Sequence, residues 1–227
     1  MPRIPFPAKK VTRKVALEEL AILERTYPQA VTALEYGSDF ELLIAVILSA
    51  QTTDVRVNVT TPALFAKYPT PEKLAGADLA DVERIIKSTG FFRMKSKNIV
   101  ACARDLVERF GGRVPHDREA LESLAGVGRK TASVVMAAAF HEAALAVDTH
   151  VFRVSHRLGL TLGTTPRQVE DDVTSLVPKD KWGDASHWLI LHGRQICKAP
   201  TPRCPECPVS ALCPTPRIIK RIRSLRR

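Results

Sequence analysis

Residues 121–135 read Leu-Glu-Ser-Leu-Ala-Gly-Val-Gly-Arg-Lys-Thr-Ala-Ser-Val-Val, a tight Gly-x-Gly turn set between two segments of helical periodicity. Glycines at 126 and 128 permit positive φ and let a ligand come close to the backbone. The second helix starts at that turn, so its unpaired N–H groups and positive dipole end face outward, an anion site suited to a DNA phosphate. Arg129 and Lys130 add side-chain charge at the same point. A Gly-x-Gly turn before a helix is also what an ordinary helical connection looks like. Its neighbours have to decide between the two.

Outward from this turn, almost every periodic segment reads as helix. Phe40 to Ser49 is apolar nearly all round, as expected of a helix buried among others, and Ser38 and Asp39 before it are good N-caps. Further helices are expected over 11–27, 54–67, 79–88, 95–109, 118–124, 130–140, 151–158, 166–176 and 182–194. Gly90, Gly111-Gly112 and Gly163 punctuate them. No pair of alternating β-branched runs is joined by a hairpin signal. The class is all-α.

The 227 residues suffice for one large domain or two small ones, and 45% hydrophobic composition marks a globular chain. No apolar, charge-free run is long enough to span a bilayer, so no membrane is expected. Lys and Arg number 34 against 24 Asp and Glu, a net charge of +10 that favours polyanionic partners. The charge gathers at the ends: no acid precedes Glu18, and six basic residues with no acid lie between Arg217 and Arg227. Both ends read as flexible basic arms for phosphate backbones or as solvated tails. No leader-like apolar segment opens the chain, which points to a reducing, cytoplasmic setting.

Four of the five cysteines, Cys197, Cys204, Cys207 and Cys213, form a C-x6-C-x2-C-x5-C run. In a reducing compartment such clustering argues for metal over disulfides. Structural zinc prefers two short C-x2–4-C pairs, and only Cys204 and Cys207 are that close; the irregular spacing suits a cubane iron–sulfur cluster better, with zinc as the alternative. Asp148, before another helix, is placed as an N-cap and as a catalytic carboxylate, two compatible roles. Lys130 can be an amine nucleophile or a plain phosphate-binding lysine. His187 and His192 lie five apart, wrong for a metal pair on one helix face, and Cys102 reads as a buried hydrophobe. Asn58-Val-Thr60 matches a glycosylation triplet by coincidence.

Together, Leu124-Ala-Gly-Val-Gly-Arg-Lys130, Val147-Asp148-Thr-His150, His187-Trp-Leu-Ile-Leu-His-Gly-Arg194, Phe40-Glu-Leu-Leu-Ile-Ala-Val, Leu48-Ser-Ala-Gln-Thr-Thr-Asp54 and the cysteine run closely resemble the endonuclease III family. These are helix–hairpin–helix DNA glycosylases and abasic-site lyases of base excision repair. The resemblance implies two all-α domains: a six-helix barrel over 32–142 and a discontinuous domain of 1–31 and 143–227 holding a [4Fe–4S] cluster on Cys197, Cys204, Cys207 and Cys213. It implies a monomer acting on duplex DNA with damaged bases or abasic sites, nucleoid-associated if bacterial, that removes oxidised pyrimidines and then nicks the strand by β-elimination. Lys130 takes the place of the family's nucleophile and Asp148 of its catalytic aspartate. Gln51 and Phe91 match the plug and wedge inserted into the duplex. Gly126, Gly128, Arg129 and His150 lie in its DNA-facing motifs, and Lys198 and Arg203, on the loop the cluster shapes, are placed at phosphates.

Two departures stand out. Phe91-Phe92 replaces the usual Leu-Tyr, which bears on lesion preference. Ala125 replaces the usual proline, which is expected to loosen the turn. A mismatch adenine glycosylase is the alternative enzyme, but that branch generally lacks the lysine and carries a further C-terminal domain, for which the residues after Cys213 leave no room. A non-enzymatic DNA-binding iron–sulfur protein is the alternative from another class.

Overall fold

A computed structural model describes residues 4–28 and 32–224, with the side chain of Arg223 outside the description. The described residues are helical with no strand, as the all-α reading requires. The chain separates into two compact units, Thr32–Glu142 and the described parts of Met1–Val31 with Ala143–Arg227.

In order the helices are α1 (Arg13–Thr26), α2 (Asp39–Leu48), α3 (Asp54–Lys67), α4 (Pro71–Ala75), α5 (Leu79–Ile86), α6 (Phe92–Phe110), α7 (Arg118–Glu122), α8 (Arg129–Ala139), α9 (Thr149–Leu158), α10 (Pro166–Thr174), α11 (Trp182–Gln195) and α12 (Thr215–Ser224). Within 32–142, α2 is the element around which the others pack. Ser38 caps it by accepting from the Glu41 N–H at 3.2 Å, and the Glu41 carboxylate accepts in return from the Gly37 N–H at 2.6 Å. Leu42, Leu43, Ile44, Ala45 and Leu48 are wholly inaccessible. α3, α6 and α8 lie against it, so its apolar surface is buried on every side. Burying each such leucine stabilises the fold by about 2–3 kcal/mol.

The other unit packs α9 against α11 and α10, and α1 against α11, over Leu20, Leu23, Val151, Val154, Val173 and Leu189. Arg157, only 3% exposed, is not a surface cation. Its guanidinium donates to the carbonyls of Lys198 and Ala199 at 2.7 Å each and of Cys197 at 3.3 Å, tying the cysteine loop to α9. The Arg157 carbonyl in turn accepts from the Thr215 hydroxyl at 2.7 Å, which fixes the start of α12.

The structure corrects three readings. α4 was not foreseen: a five-residue helix is too short to show periodicity. The basic C-terminal arm is not a flexible tail over its described length but helix α12, with Ile218, Ile219 and Ile222 half-buried and Arg217, Lys220 and Arg221 outward. Arg226 and Arg227, which complete that arm, and the first three residues of the N-terminal one lie outside the described residues. α6 begins at Phe92 rather than Lys95. Asn58, in the fortuitous triplet, accepts from the Glu35 N–H at 3.1 Å and donates to the Ala33 carbonyl at 2.8 Å. Cys102 is fully buried in α6 as expected, and burial pushes its thiol up to about 12. No helix among the described residues is long and apolar enough to cross a membrane.

Glu19 on α1 is fully buried, and among the described residues both carboxylate oxygens lack a hydrogen-bond partner. Burial raises its pKa from 4.5 to about 8. Between those values the folded chain holds a proton that the unfolded chain has released, so the contribution of this group is whole below pH 4.5 and is lost as the pH rises through about 8. Glu19→Met is therefore expected to raise stability at pH 7 by on the order of 2 kcal/mol, with a gain that shrinks toward pH 5, in urea unfolding followed by circular dichroism. An unchanged midpoint at both pH values would contradict it.

Candidate functional site

The turn at 125–128 is held from three sides. Leu121, Leu124 and Val127 point into the core of unit 32–142 and are almost fully buried. Gly126 sits at φ +78°, and a Cβ there would lie 2.9 Å from the Cβ of Asn98 on α6, so both conformation and space require glycine. Gly128 behaves differently from the expectation of positive φ. It is the extended N-cap of α8 at φ −102°, with no side chain to cap the helix and nothing within 4 Å of an added Cβ. The exposed start of α8 therefore offers backbone N–H groups with no side-chain cap of their own and no acid in the first turn. Ala125 does not loosen the turn as expected: its N–H donates to Asp105 Oδ2 at 3.3 Å, a bond that proline could not make. Lys130, the second residue of α8, is exposed, and Arg129 is half-buried.

Two exposed loops of the same unit carry Gln51 and Phe91. Both adopt left-handed backbone, at φ 54° and φ 45°, which costs a non-glycine residue about 1–2 kcal/mol. Phe91 is 68% exposed beside Met94 at 63%, an apolar pair turned to solvent. Beneath them lies Lys95, the position at which the sequence predicts a helix start and which it does not single out as a functional residue. It is 5% exposed and donates to the Leu48 carbonyl, the Thr52 hydroxyl and the Thr89 carbonyl at 2.8, 2.6 and 2.8 Å. Burial pushes its ammonium down to about 8. A signal did exist: position 95 falls on the buried stripe of α6 with Ile99, Cys102 and Leu106.

In the other unit, Asp148 caps α9, with Oδ1 accepting from the N–H groups of His150 and Val151 at 2.7 and 2.8 Å. Among the described residues no hydrogen bond to Oδ2 accompanies these two, so one oxygen alone positions the side chain. His150 Nδ1 lies 3.2 Å from an Arg153 N–H, which can only donate, so this nitrogen accepts. Burial, the largest influence on His150, lowers its pKa. Arg153 also donates to the carbonyls of Gly193 and Cys197 at 3.0 and 3.1 Å, linking the Asp148 helix to α11 and the cysteine loop.

Cys197, Cys204, Cys207 and Cys213 line one cavity of about 300 Å³ including its open mouth, and none forms a disulfide. Burial pushes the Cys207 thiol up to about 11 and Cys213 up to about 12. Hydrogen bonds from the Val209 N–H to Cys207, and from the Thr215 N–H to Cys213, act in the opposite direction and favour thiolates. Among the described residues no three Cys, His, Asp or Glu side chains converge tightly enough for a single ion. Four sulfurs lining one cavity are a donor set for a sulfur-ligated metal group. His192 is a core residue: it is 1% exposed, burial pushes its pKa down to about 4, and Nδ1 lies 3.2 Å from the Tyr27 hydroxyl. On the loop 197–204, Lys198 is exposed. Arg203 is already engaged, with the Gln195 carbonyl at 2.8 Å and Glu206 at 3.1 Å, and so holds the loop together.

The sequence matches the HhH-GPD superfamily base excision DNA repair protein family over residues 44–179. Endonuclease III of Synechocystis sp. is 50% identical over 201 residues, covering 88% of this chain and 92% of that protein. Endonuclease III of Rickettsia conorii is 47% identical over 192 residues, covering 85% and 91%. The solved structure of a trapped endonuclease III–DNA covalent intermediate superimposes with a TM-score of 0.88 at 42% identity, covering 93% of this chain and 99% of that one. With its hairpin, capped aspartate and cysteine cavity in this fold, the chain belongs to the endonuclease III family of the HhH-GPD superfamily of base excision DNA repair proteins.

Proposed function

We propose that Lys130 and Asp148 carry the two reactions of a base excision repair DNA glycosylase and abasic-site lyase, the activity that membership of the endonuclease III family gives this chain. The observation that carries the assignment of Lys130 is the hairpin: a glycine-dependent turn ends in an exposed helix N-terminus, and the lysine is the second residue of that helix. Phosphate held by the first-turn N–H groups would bring a sugar to the amine. A relative 42% identical to this chain was caught as a covalent DNA intermediate, which supports a covalent route.

In this reading the neutral Lys130 Nζ attacks C1′ of the damaged nucleotide, the C1′–N bond breaks and the base leaves with its electron pair and a proton. Asp148, through the oxygen its helix leaves open, offsets positive charge developing at C1′. The sugar ring opens to an iminium between Nζ and C1′. Loss of a C2′ proton then expels the 3′ phosphate, and water hydrolyses the imine to free Lys130. The substrate is duplex DNA carrying oxidised pyrimidines or abasic sites, bound by a monomer. Gln51 and Phe91 fill the gap left by the flipped nucleotide. Gly126, Gly128, Arg129, His150 and Lys198 face the backbone.

We assign residues 32–142 to the six-helix barrel domain, and 1–31 with 143–227 to a cluster domain. Cys197, Cys204, Cys207 and Cys213 would hold a [4Fe–4S] cluster. With four thiolate ligands such a cluster would supply shape rather than chemistry, and Cys197 and Cys204 would brace the loop that carries Lys198.

Incubation with duplex containing thymine glycol, followed by borohydride, is expected to release the base and yield a covalent adduct, both lost in Lys130→Ala by a factor of at least about 10³. Base release without an adduct would overturn the lyase and favour a monofunctional enzyme. Protein purified anaerobically is expected to contain about four irons and four sulfides per chain. One zinc and no sulfide would refute the cluster.

A further inference from the structure

Lys95 places a buried positive charge where no carboxylate reaches it. It takes no part in an ion pair among the described residues, and all three ammonium donors are used on Leu48, Thr52 and Thr89. Leu48 is the last residue of α2 and Thr89 closes the short 3-10 turn 87–89, so the charge faces the carbonyl ends of two helical segments, where a cation is favoured. The Thr52 hydroxyl, while accepting from Lys95, donates to the Thr89 carbonyl at 2.5 Å, closing a ring between the two loops. The Lys95 N–H itself donates to the Phe91 carbonyl at 3.0 Å. Gln51 precedes Thr52 directly, and Phe91 follows Thr89 by two residues.

We infer that Lys95 is a positioning residue that clamps the Gln51 loop and the Phe91 loop into one rigid element for insertion into DNA. The inference rests on the reading above that Gln51 and Phe91 enter the duplex. A buried ammonium without a counterion gives no stability that an apolar side chain of similar length would not match. What three directed hydrogen bonds do provide is orientation: they fix the spacing of two loops whose tips are each in left-handed backbone and would otherwise relax. Lys95 touches no DNA in this account. Its effect passes through Gln51 and Phe91.

The test is Lys95→Met, read by single-turnover base release from lesion-bearing duplex, by trapping at an abasic site in single-stranded DNA, and by a double-mutant cycle with Phe91→Ala. Duplex base release is expected to fall by about 10- to 100-fold, the scale of a misplacement of about 1 Å. Trapping on the single strand, where no stacked gap is filled, is expected to change by less than about twofold under the same rule. The Phe91→Ala effect should be largely lost in the Lys95→Met background, since residues that act through one another are not additive. Full duplex activity in Lys95→Met, or additive effects, would overturn the clamp. If Phe91→Ala and Gln51→Ala alone leave duplex activity intact, the failure lies instead in the insertion reading. Should Lys95→Met not fold, Thr52→Ala removes one partner while the ammonium stays, and is expected to give a smaller loss of the same pattern; wild-type behaviour in it would also count against the clamp.

Discussion

The structure of unit 32–142 depends on the burial of one helix. α2 has no polar face from Leu42 to Leu48, and such a helix is stable in water only when other elements cover it completely. Covering it determines where those elements lie. α8 runs along it, which sets the position from which Lys130 projects, and α6 runs along another side, which brings Lys95 under the end of α2. The C-terminal carbonyls of a buried helix must find donors, and Leu48 finds one in Lys95. The hydrophobic requirement of eight apolar residues thus organises the lysine proposed to react and the loops proposed to enter DNA.

A second arrangement recurs at the helix starts. α8 begins at a glycine with no side-chain cap, while α9 begins at an aspartate that caps with a single oxygen. The first has no side-chain cap, and in the second a single carboxylate oxygen does the capping. Ordinary caps such as Thr12, Ser38 and Thr165 satisfy their own helices, and Thr165 does so with a full capping box.

Much of this was legible in the sequence, for physical reasons that differ by feature. α2 declared itself because eight apolar residues in a stretch of nine admit few other fates. Lys130, Asp148 and the cysteine run were visible because they sit in short motifs that local chain geometry dictates. What stayed hidden depended on tertiary context. Arg157 and Lys95 carry charges whose default place is the surface, and only the stripe on which Lys95 falls hinted at burial. Left-handed backbone at Gln51 and Phe91 cannot be read from residues that ordinarily avoid it. The bond from Ala125 to Asp105 joins positions twenty apart, and α12 was obscured by its proline and dense positive charge.

The cysteines, the most conspicuous feature of the chain, are not the groups proposed to react, and the central claim rests on one amine. Peptide mapping of the borohydride-reduced DNA adduct by mass spectrometry tests it most directly. The account predicts that the sugar remnant is carried by the peptide containing Lys130, on its side-chain nitrogen. A remnant on another lysine, on the N-terminal amine, or spread over several peptides would contradict it.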